Sequence, residues 1–274
     1  MKFPPVFVVN LETSTDRRKF ISDQLDKLGI PFEIFPAVDG RKLSQAEVDA
    51  GYDSEGSVSF FGRELTRGEI GCSWSHLNIY RKMVEDNIEE ALILEDDVIL
   101  CDELPEILSR EPEFPEDWEL MFLSHNNAVS SVWDRKKLFG RYHIVKFVEH
   151  PCWTSGYILK KSGAEKLFDY GFPVRMPADL LTGDLYNTGV KIYGIKPVCI
   201  PQNKEFEETI SGRFELNKES WFANSGRKKK LIYKAIDFYR QLKRKNKLFK
   251  KFADSVKNAG RLKYFFKQFR RSEN

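Results

Sequence analysis

Residues 91–97 read Ala-Leu-Ile-Leu-Glu-Asp-Asp, four apolar residues that run straight into three carboxylates. An apolar run of this length is a buried strand. Its end stands on the rim where open α/β sheets bind ligands. Residues one and three of such a turn can project the same way, so Glu95 and Asp97 can present oxygens to a hard divalent cation such as Mg²⁺ or Mn²⁺. The competing reading is an acidic turn that caps the next segment. Without a cation, mutual repulsion makes three clustered carboxylates costly.

The flanking sequence is consistent with α/β layering. Pro5–Leu11 is a strand candidate, followed by a helix with Phe20, Ile21, Leu25 and Leu28 at helical spacing, capped by Asp16 and stopped by Gly29. Residues 32–38 form a second strand that ends at Asp39-Gly40, so Asn10 and Asp39 fall at the C-terminal ends of neighbouring strands. Asp39-Gly40 also suits an ordinary turn. Residues 41–66 are polar and read as a partly irregular excursion. Thr66-Arg67-Gly68-Glu69 has the capping-box pattern. The helix it opens carries Ile70, Trp74, Leu77 and Val84 on one face and Cys72, His76, Ile79 and Met83 on the next, so it is expected to be buried on two sides.

Further strands are expected at 119–123, 143–148, 157–159 and 191–200, with a polar loop at 124–141. Ser162–Glu165 repeats the capping-box pattern before a short helix ending near Gly171, and Pro177-Ala178-Asp179 reads as another helix start. Cys72 and His76 lie one helical turn apart, a spacing that can bind zinc. Two ligands do not make a site, and a buried, hydrogen-bonded histidine explains them as well.

The formal charge of +3 conceals an asymmetry. Residues 226–274 hold 18 Lys+Arg against 3 Asp+Glu, a net +15 that leaves −12 on the other 225 residues. Apolar residues recur at helical spacing in this tail, so 223–274 reads as a basic amphipathic helical appendage to a 1–222 domain. It suits an anionic membrane surface, or a helical cap folded onto the body. No nucleic-acid-binding motif accompanies it, so a nucleic-acid partner is not expected. The N-terminal apolar run is far shorter than the roughly 20 residues a spanning helix needs, so the chain is expected in the cytoplasm, peripheral on the inner membrane face. The four cysteines are widely spaced and read as reduced.

Five segments, VNLETSTDRR (9–18), PAVDG (36–40), LTRGEIGCSWSH (65–76), ALILEDDVIL (91–100) and TSGYILKKSGAEKL (154–167), together resemble glycosyltransferase family 25. The family comprises lipopolysaccharide and lipooligosaccharide galactosyltransferases and their collagen-modifying relatives. The resemblance spans about residues 5–210 in unbroken order. It departs at Thr66-Arg67, where the family often has Ser-Pro.

The resemblance implies a GT-A-like α/β fold with a mixed sheet and a UDP-sugar donor, most often UDP-galactose. It also implies a Mn²⁺ or Mg²⁺ ion, a lipid-linked oligosaccharide acceptor and an inverting reaction. Carried over by position, Asp97 and then Glu95 are the metal ligands. Asp96, Asn10, Arg17, Asp39, Gly40, Ser155 and Gly156 lie in donor-binding segments. Arg17 also reads as a solvated helix residue, and Ser155-Gly156 as a tight turn. Glu69 and His76 match a family motif but gain no role from it.

An inverting transfer needs a base on the acceptor hydroxyl. Asp179, at a helix start where the macrodipole favours the anion, is the first choice and Asp184 the rival. A helix cap explains either as well. A non-catalytic glycan adaptor with a decayed transferase body is the competing class, and the intact Glu95-Asp96-Asp97 speaks against it.

Overall fold

A computed structural model describes residues 3–126 and 128–206. The expected basic tail at 223–274 and its boundary with the body lie outside the described residues.

The chain opens with β1 (Val6–Asn10), α1 (Thr15–Lys27) and β2 (Glu33–Pro36), then α2 (Gln45–Gly51), α3 (Ser54–Phe61) and α4 (Arg67–Glu85). β3 (Glu90–Glu95), α5 (Leu104–Ser109), β4 (Leu120–Phe122), β5 (Ser130–Phe139) and β6 (Tyr142–Phe147) follow. β7 (Gly156–Lys160), α6 (Lys161–Gly171), α7 (Ala178–Thr182) and β8 (Ile192–Lys196) complete the described part. The strands form one sheet in the order β2-β1-β3-β7-β4-β8-β6-β5. β1 runs parallel to β2 and β3, whereas β7 is antiparallel to both β3 and β4, so the sheet is mixed.

Both faces of this sheet are covered, and the strand pleat assigns each residue to a face. Phe7, Val9, Ala91 and Ile93 pack with Leu77, Tyr80 and Met83 of α4 and Leu167 of α6. Val6, Val8, Leu92 and Leu94 pack with Ile21 and Leu25 of α1 and Ile107 of α5. The result is a three-layer α/β/α body, the architecture the family resemblance implies. Burying each of the Val, Leu, Ile, Phe and Met side chains among them contributes about 1.5–3 kcal/mol before chain entropy is counted.

Several expected features differ in the structure. Residues 41–66 contain two helices. Ser44 and Glu47 form a reciprocal capping box for α2, the Asp53 carboxylate accepts the Gly56 amide to start α3, and Gly62 ends α3 in the left-handed region at φ 88°. The polar loop at 124–141 contains β5, which pairs antiparallel with β6 across a turn where Gly140 has φ 42°. β5 is an edge strand, and its charged residues are tolerated because one side meets solvent.

The Ser162 box does not form. α6 begins directly off β7 at Lys161, with no side-chain cap, and the Lys160 and Lys161 amides are already taken by the Glu119 and Glu89 carbonyls. Asp16 is not a cap either; it lies within the first turn of α1, where the macrodipole favours its charge. On α4 the expected two-sided burial holds except at Val84, which is 37% exposed.

Candidate active site

The acidic cluster lies at the C-terminal ends of parallel β1 and β3, and the pleat divides it. Leu92 and Leu94 face α1, so Asp96 follows them; Ala91 and Ile93 face α4, so Glu95 follows those. Val9 pairs with Glu95 in the β1–β3 register, which brings Asn10 alongside Asp96. The Asn10 amide donates to Asp96 Oδ2 at 2.6 Å and to the Ser14 carbonyl at 3.1 Å. Arg17, on the first turns of α1, places one guanidinium nitrogen 3.4 Å from both Asp96 Oδ1 and Asp97 Oδ2. The same guanidinium lies over the Phe206 ring, 5.3 Å from its centroid.

Asp97 is held from the far end of the chain. Gln202 donates to Oδ2 at 3.0 Å, and the Asn203 amide donates to the Asp97 carbonyl at 2.7 Å. Asp97 Oδ1 is buried and has no hydrogen-bond partner among the described residues. Burial raises the Asp96 carboxyl, although Asn10 and Arg17 pull against it. Burial, reinforced by the Glu95 charge, pushes Asp97 up to about 6. An electronegative pocket of this kind is stabilised by a further cation.

Glu95 points to the other face. The Thr154 hydroxyl donates to its Oε1 at 2.5 Å and the Ser155 hydroxyl to its Oε2 at 3.3 Å, while the Glu95 amide donates to the Ser155 carbonyl. Asp96 and Asp97 both meet Arg17, and the Glu95 charge acts on Asp97 from the other side chain of the cluster. β3 ends at Glu95, so Asp97 stands in the turn beyond it and the pleat no longer sets its direction.

A polar chain runs inward from Glu95. His76 Nε2 lies 3.6 Å from Glu95 Oε1, and His76 Nδ1 meets the Tyr157 hydroxyl at 2.8 Å. Tyr157 meets Tyr80 at 2.8 Å, Tyr80 meets Thr182 at 3.1 Å, and the Thr182 hydroxyl donates to the Ala178 carbonyl at 2.7 Å. Burial pushes the Tyr80 phenol up to about 12 and that of Tyr157 well above its ordinary value, so both stay protonated at neutral pH.

The remaining expected residues separate clearly. Asp39 caps a short 3-10 turn through the Arg41 amide and pairs with the Arg41 guanidinium at 2.8 Å. It also lines a cleft of about 280 Å³ with Leu11, Glu12, Thr13, Lys42 and Glu47, beginning one residue past Asn10. Gly40 is a packing residue: a Cβ there would fall 1.7 Å from the Arg67 carbonyl oxygen, and one on Gly71 would fall 2.6 Å from the Gly40 amide. Gly156 packs similarly against Ile200.

Asp179 is half-buried in the first turn of α7. α7 sits tightly on the loop bearing Thr154 and Ser155, since a Cβ on Gly183 would fall 1.8 Å from the Pro151 carbonyl oxygen. Asp184 is fully buried and accepts the Tyr186 and Asn187 amides and the Asn187 side chain. Glu69 accepts two hydrogen bonds from Arg63 and one from the Thr66 amide.

Three residues near the cluster had no recognisable signal in the sequence. Gln202 and Asn203 reach Asp97 only because Val98 bridges to Gln202 across about 100 residues of chain. Trp153, beside Thr154, is 36% exposed and has φ 92°, a strained conformation for a bulky residue of the kind that clusters at functional sites.

A family model described as glycosyltransferase family 25 (LPS biosynthesis protein) matches residues 3–182. Procollagen galactosyltransferase 1 of Danio rerio is 30% identical over 200 residues, covering 68% of this chain and 32% of that protein. A glycosyltransferase 25 family member of Anopheles gambiae is 35% identical over 178 residues, covering 59% of this chain and 28% of that protein. The chain thus spans about a third of the length of these relatives. Among solved structures, a glycosyltransferase involved in the glycosylation of the major capsid of PBCV-1 aligns with 61% of this chain and 66% of its own, at 11% identity and a TM-score of 0.31.

Proposed function

Because the chain belongs to glycosyltransferase family 25, we propose that it moves a sugar, galactose first among the candidates, from a UDP-sugar to a glycan acceptor by an inverting displacement. The observation that carries this reading is the convergence of Asn10, Arg17, Asp96 and Asp97 at one sheet edge, beside the cleft lined by Leu11–Thr13 and Asp39. The cleft takes the nucleoside, and the cluster receives the diphosphate.

The donor set fits a divalent cation. Asp97 Oδ1 is a buried acceptor with no donor among the described residues, and ions of the Mg²⁺ and Mn²⁺ type are commonly held by one or two carboxylates plus substrate phosphates. Asp97 is the ligand, with Asp96 beside it, and Glu95 is left to the α4 side. A bound Mn²⁺ or Mg²⁺ neutralises charge on the departing diphosphate. Arg17 lies between the two aspartates and supplies a second positive charge at the same place.

Asp179 acts as the base. Asp184, the rival, is committed to closing its own turn, whereas Asp179 stands on the α7 turn packed against the Thr154–Ser155 loop. Asp179 accepts the proton of the acceptor hydroxyl as that oxygen attacks the anomeric carbon and the UDP oxygen departs. Trp153 offers an exposed ring at the same loop for an acceptor sugar.

A lipid-linked oligosaccharide is the acceptor favoured by the basic tail, whose 18 Lys+Arg suit an anionic membrane face. The names of the procollagen galactosyltransferase relatives favour a protein acceptor as the second reading. Incubation of the full chain with a panel of UDP-sugars, with Mn²⁺ or with EDTA, tests the core of the proposal. Donor breakdown with one UDP-sugar, lost with EDTA and in Asp97→Asn, is expected. Absence of any nucleotide response, with or without metal, would overturn it. Lipid-linked and peptide acceptors run in parallel separate the two acceptor readings.

A further inference from the structure

A hydroxyl carries one hydrogen, and this fixes the direction of the polar chain behind Glu95. Thr182 must donate to the Ala178 carbonyl, because a carbonyl only accepts. Tyr80 then donates to Thr182, and Tyr157 donates to Tyr80. Tyr157 has no hydrogen left for His76, so His76 Nδ1 is the protonated nitrogen and donates to Tyr157. The other ring nitrogen of a neutral imidazole, Nε2, is therefore a bare lone pair.

In that neutral form the lone pair faces another acceptor. His76 is 1% exposed, its Nε2 has no hydrogen-bond partner among the described residues, and Glu95 Oε1 lies 3.6 Å from it. Two acceptors facing each other in a buried place repel unless a positive species lies between them. The Cys72 sulfur completes the picture. It comes from the same face of α4, one turn before His76, and the ligand atoms of Cys72, His76 and Glu95 all lie within 4.8 Å of one another.

We propose that Cys72, His76 and Glu95 form a second cation site, selective for Zn²⁺, which ties α4 to the end of β3 behind the donor cluster. One sulfur, one imidazole nitrogen and one carboxylate oxygen are a borderline-soft set that suits Zn²⁺ better than Mg²⁺ or Mn²⁺. Tetrahedral Zn²⁺ with ordinary bond lengths separates its ligand atoms by about 3.3–3.6 Å. The His76–Glu95 pair already has this spacing at 3.6 Å, and the sulfur lies within 4.8 Å of both. The second shell is in place: a metal-bound histidine normally donates its other N–H to a fixed acceptor, and here the hydroxyl chain anchored at Ala178 supplies one. Thr154 and Ser155 orient the carboxylate in the same way. The two sites draw on different side chains: Asp97, the proposed donor-cation ligand, is held by Arg17 and Gln202, whereas Glu95 is held by Thr154 and Ser155.

Cobalt titration of the metal-stripped full chain, without nucleotide, tests the proposal. One equivalent of Co²⁺ should bind with a thiolate-to-cobalt charge-transfer band in the near ultraviolet, and Zn²⁺ should displace it. Cys72→Ser should lose the band. Asp97→Asn should keep it, which separates this site from the donor metal. Should Cys72→Ser fail to fold, Tyr157→Phe serves instead: removing the acceptor of the His76 N–H should weaken binding about 10–100-fold. Sub-stoichiometric Co²⁺, a spectrum without the thiolate band, or a band that survives Cys72→Ser would overturn the site. So would an imidazolium at His76 in zinc-saturated protein at neutral pH, seen by nitrogen NMR.

Discussion

At Asp179, Asp184 and Glu69 three carboxylates of similar sequence context have separable functions. Asp184 closes a turn; Asp179 is proposed to work on substrate. Asp179→Asn is expected to abolish transfer while leaving UDP binding within about twofold, read by turnover and by calorimetry. Near-normal turnover would remove Asp179 from the base role.

Glu69 is structural. Burial raises its carboxyl, but the Arg63 hydrogen bonds and the Thr66 amide outweigh that and hold it below the ordinary glutamate value. A carboxylate lowered in the folded state stabilises the fold above its unfolded pKa, and that stability disappears as pH falls through the folded value. Glu69→Gln should therefore cost about 1–3 kcal/mol at pH 7, and urea midpoints of variant and parent should converge as the pH falls below about 4.

Among the elements, α4 shows what local sequence can and cannot specify. Its start was legible because Thr66 and Glu69 satisfy each other's backbone amides without help from elsewhere. The same spacing at Ser162 failed because β7 runs straight into α6 at Lys161, which puts Ser162 inside the first turn instead of at the cap, information that no local window contains. β5 was missed for a related reason: its strand character comes from its partner β6, and the charged run Asp134–Lys137 interrupts its own apolar residues. The helix pair within 41–66 was within reach, since Ser44-x-x-Glu47 is the same box that marked α4. At the site, Asp96, Asp97 and Asn10 could be located from strand ends alone, but Gln202, Asn203 and Trp153 could not. Their roles depend on chain crossings distant in sequence and on a single strained dihedral.

The seat of α4 is set by two glycines. Gly71→Ala would place a methyl 2.6 Å from the Val38 carbonyl oxygen and the Gly40 amide. Backbone cannot swing aside as a side chain can, so α4 must lift. A loss of about 1–3 kcal/mol is expected in chemical denaturation, and Gly40→Ala should behave alike.

For the whole molecule, the site gathers residues from both ends of the described chain, from Asn10 to Asn203. Donor binding should therefore stabilise the body as a unit. At a UDP-sugar concentration about 100 times its Kd, with Mn²⁺ present, the gain is about 2.7 kcal/mol. For a body of this size that corresponds to a rise in Tm of roughly 5–10 °C at the slope of about 2–4 °C per kcal/mol. Differential scanning fluorimetry of parent and Asp97→Asn checks it: the parent should shift and the variant should not. Equal shifts in both would mean that the nucleotide binds without Asp97.

The last turn of β3 has one more implication, for inheritance. Because neighbouring residues of a pleated strand look in opposite directions, Asp96 and Glu95 report to different selective pressures, one set by the donor and the other by the helix behind it. Substitutions that retune donor choice through Asn10, Arg17 or the cleft can accumulate without disturbing Cys72, His76 or the hydroxyl chain. The reverse also holds. An insertion or deletion of a single residue in β3 has no such freedom, because it would exchange the two roles at a stroke. Lineages descending from this fold should therefore vary freely in the residues facing either side of β3, and hardly at all in its length.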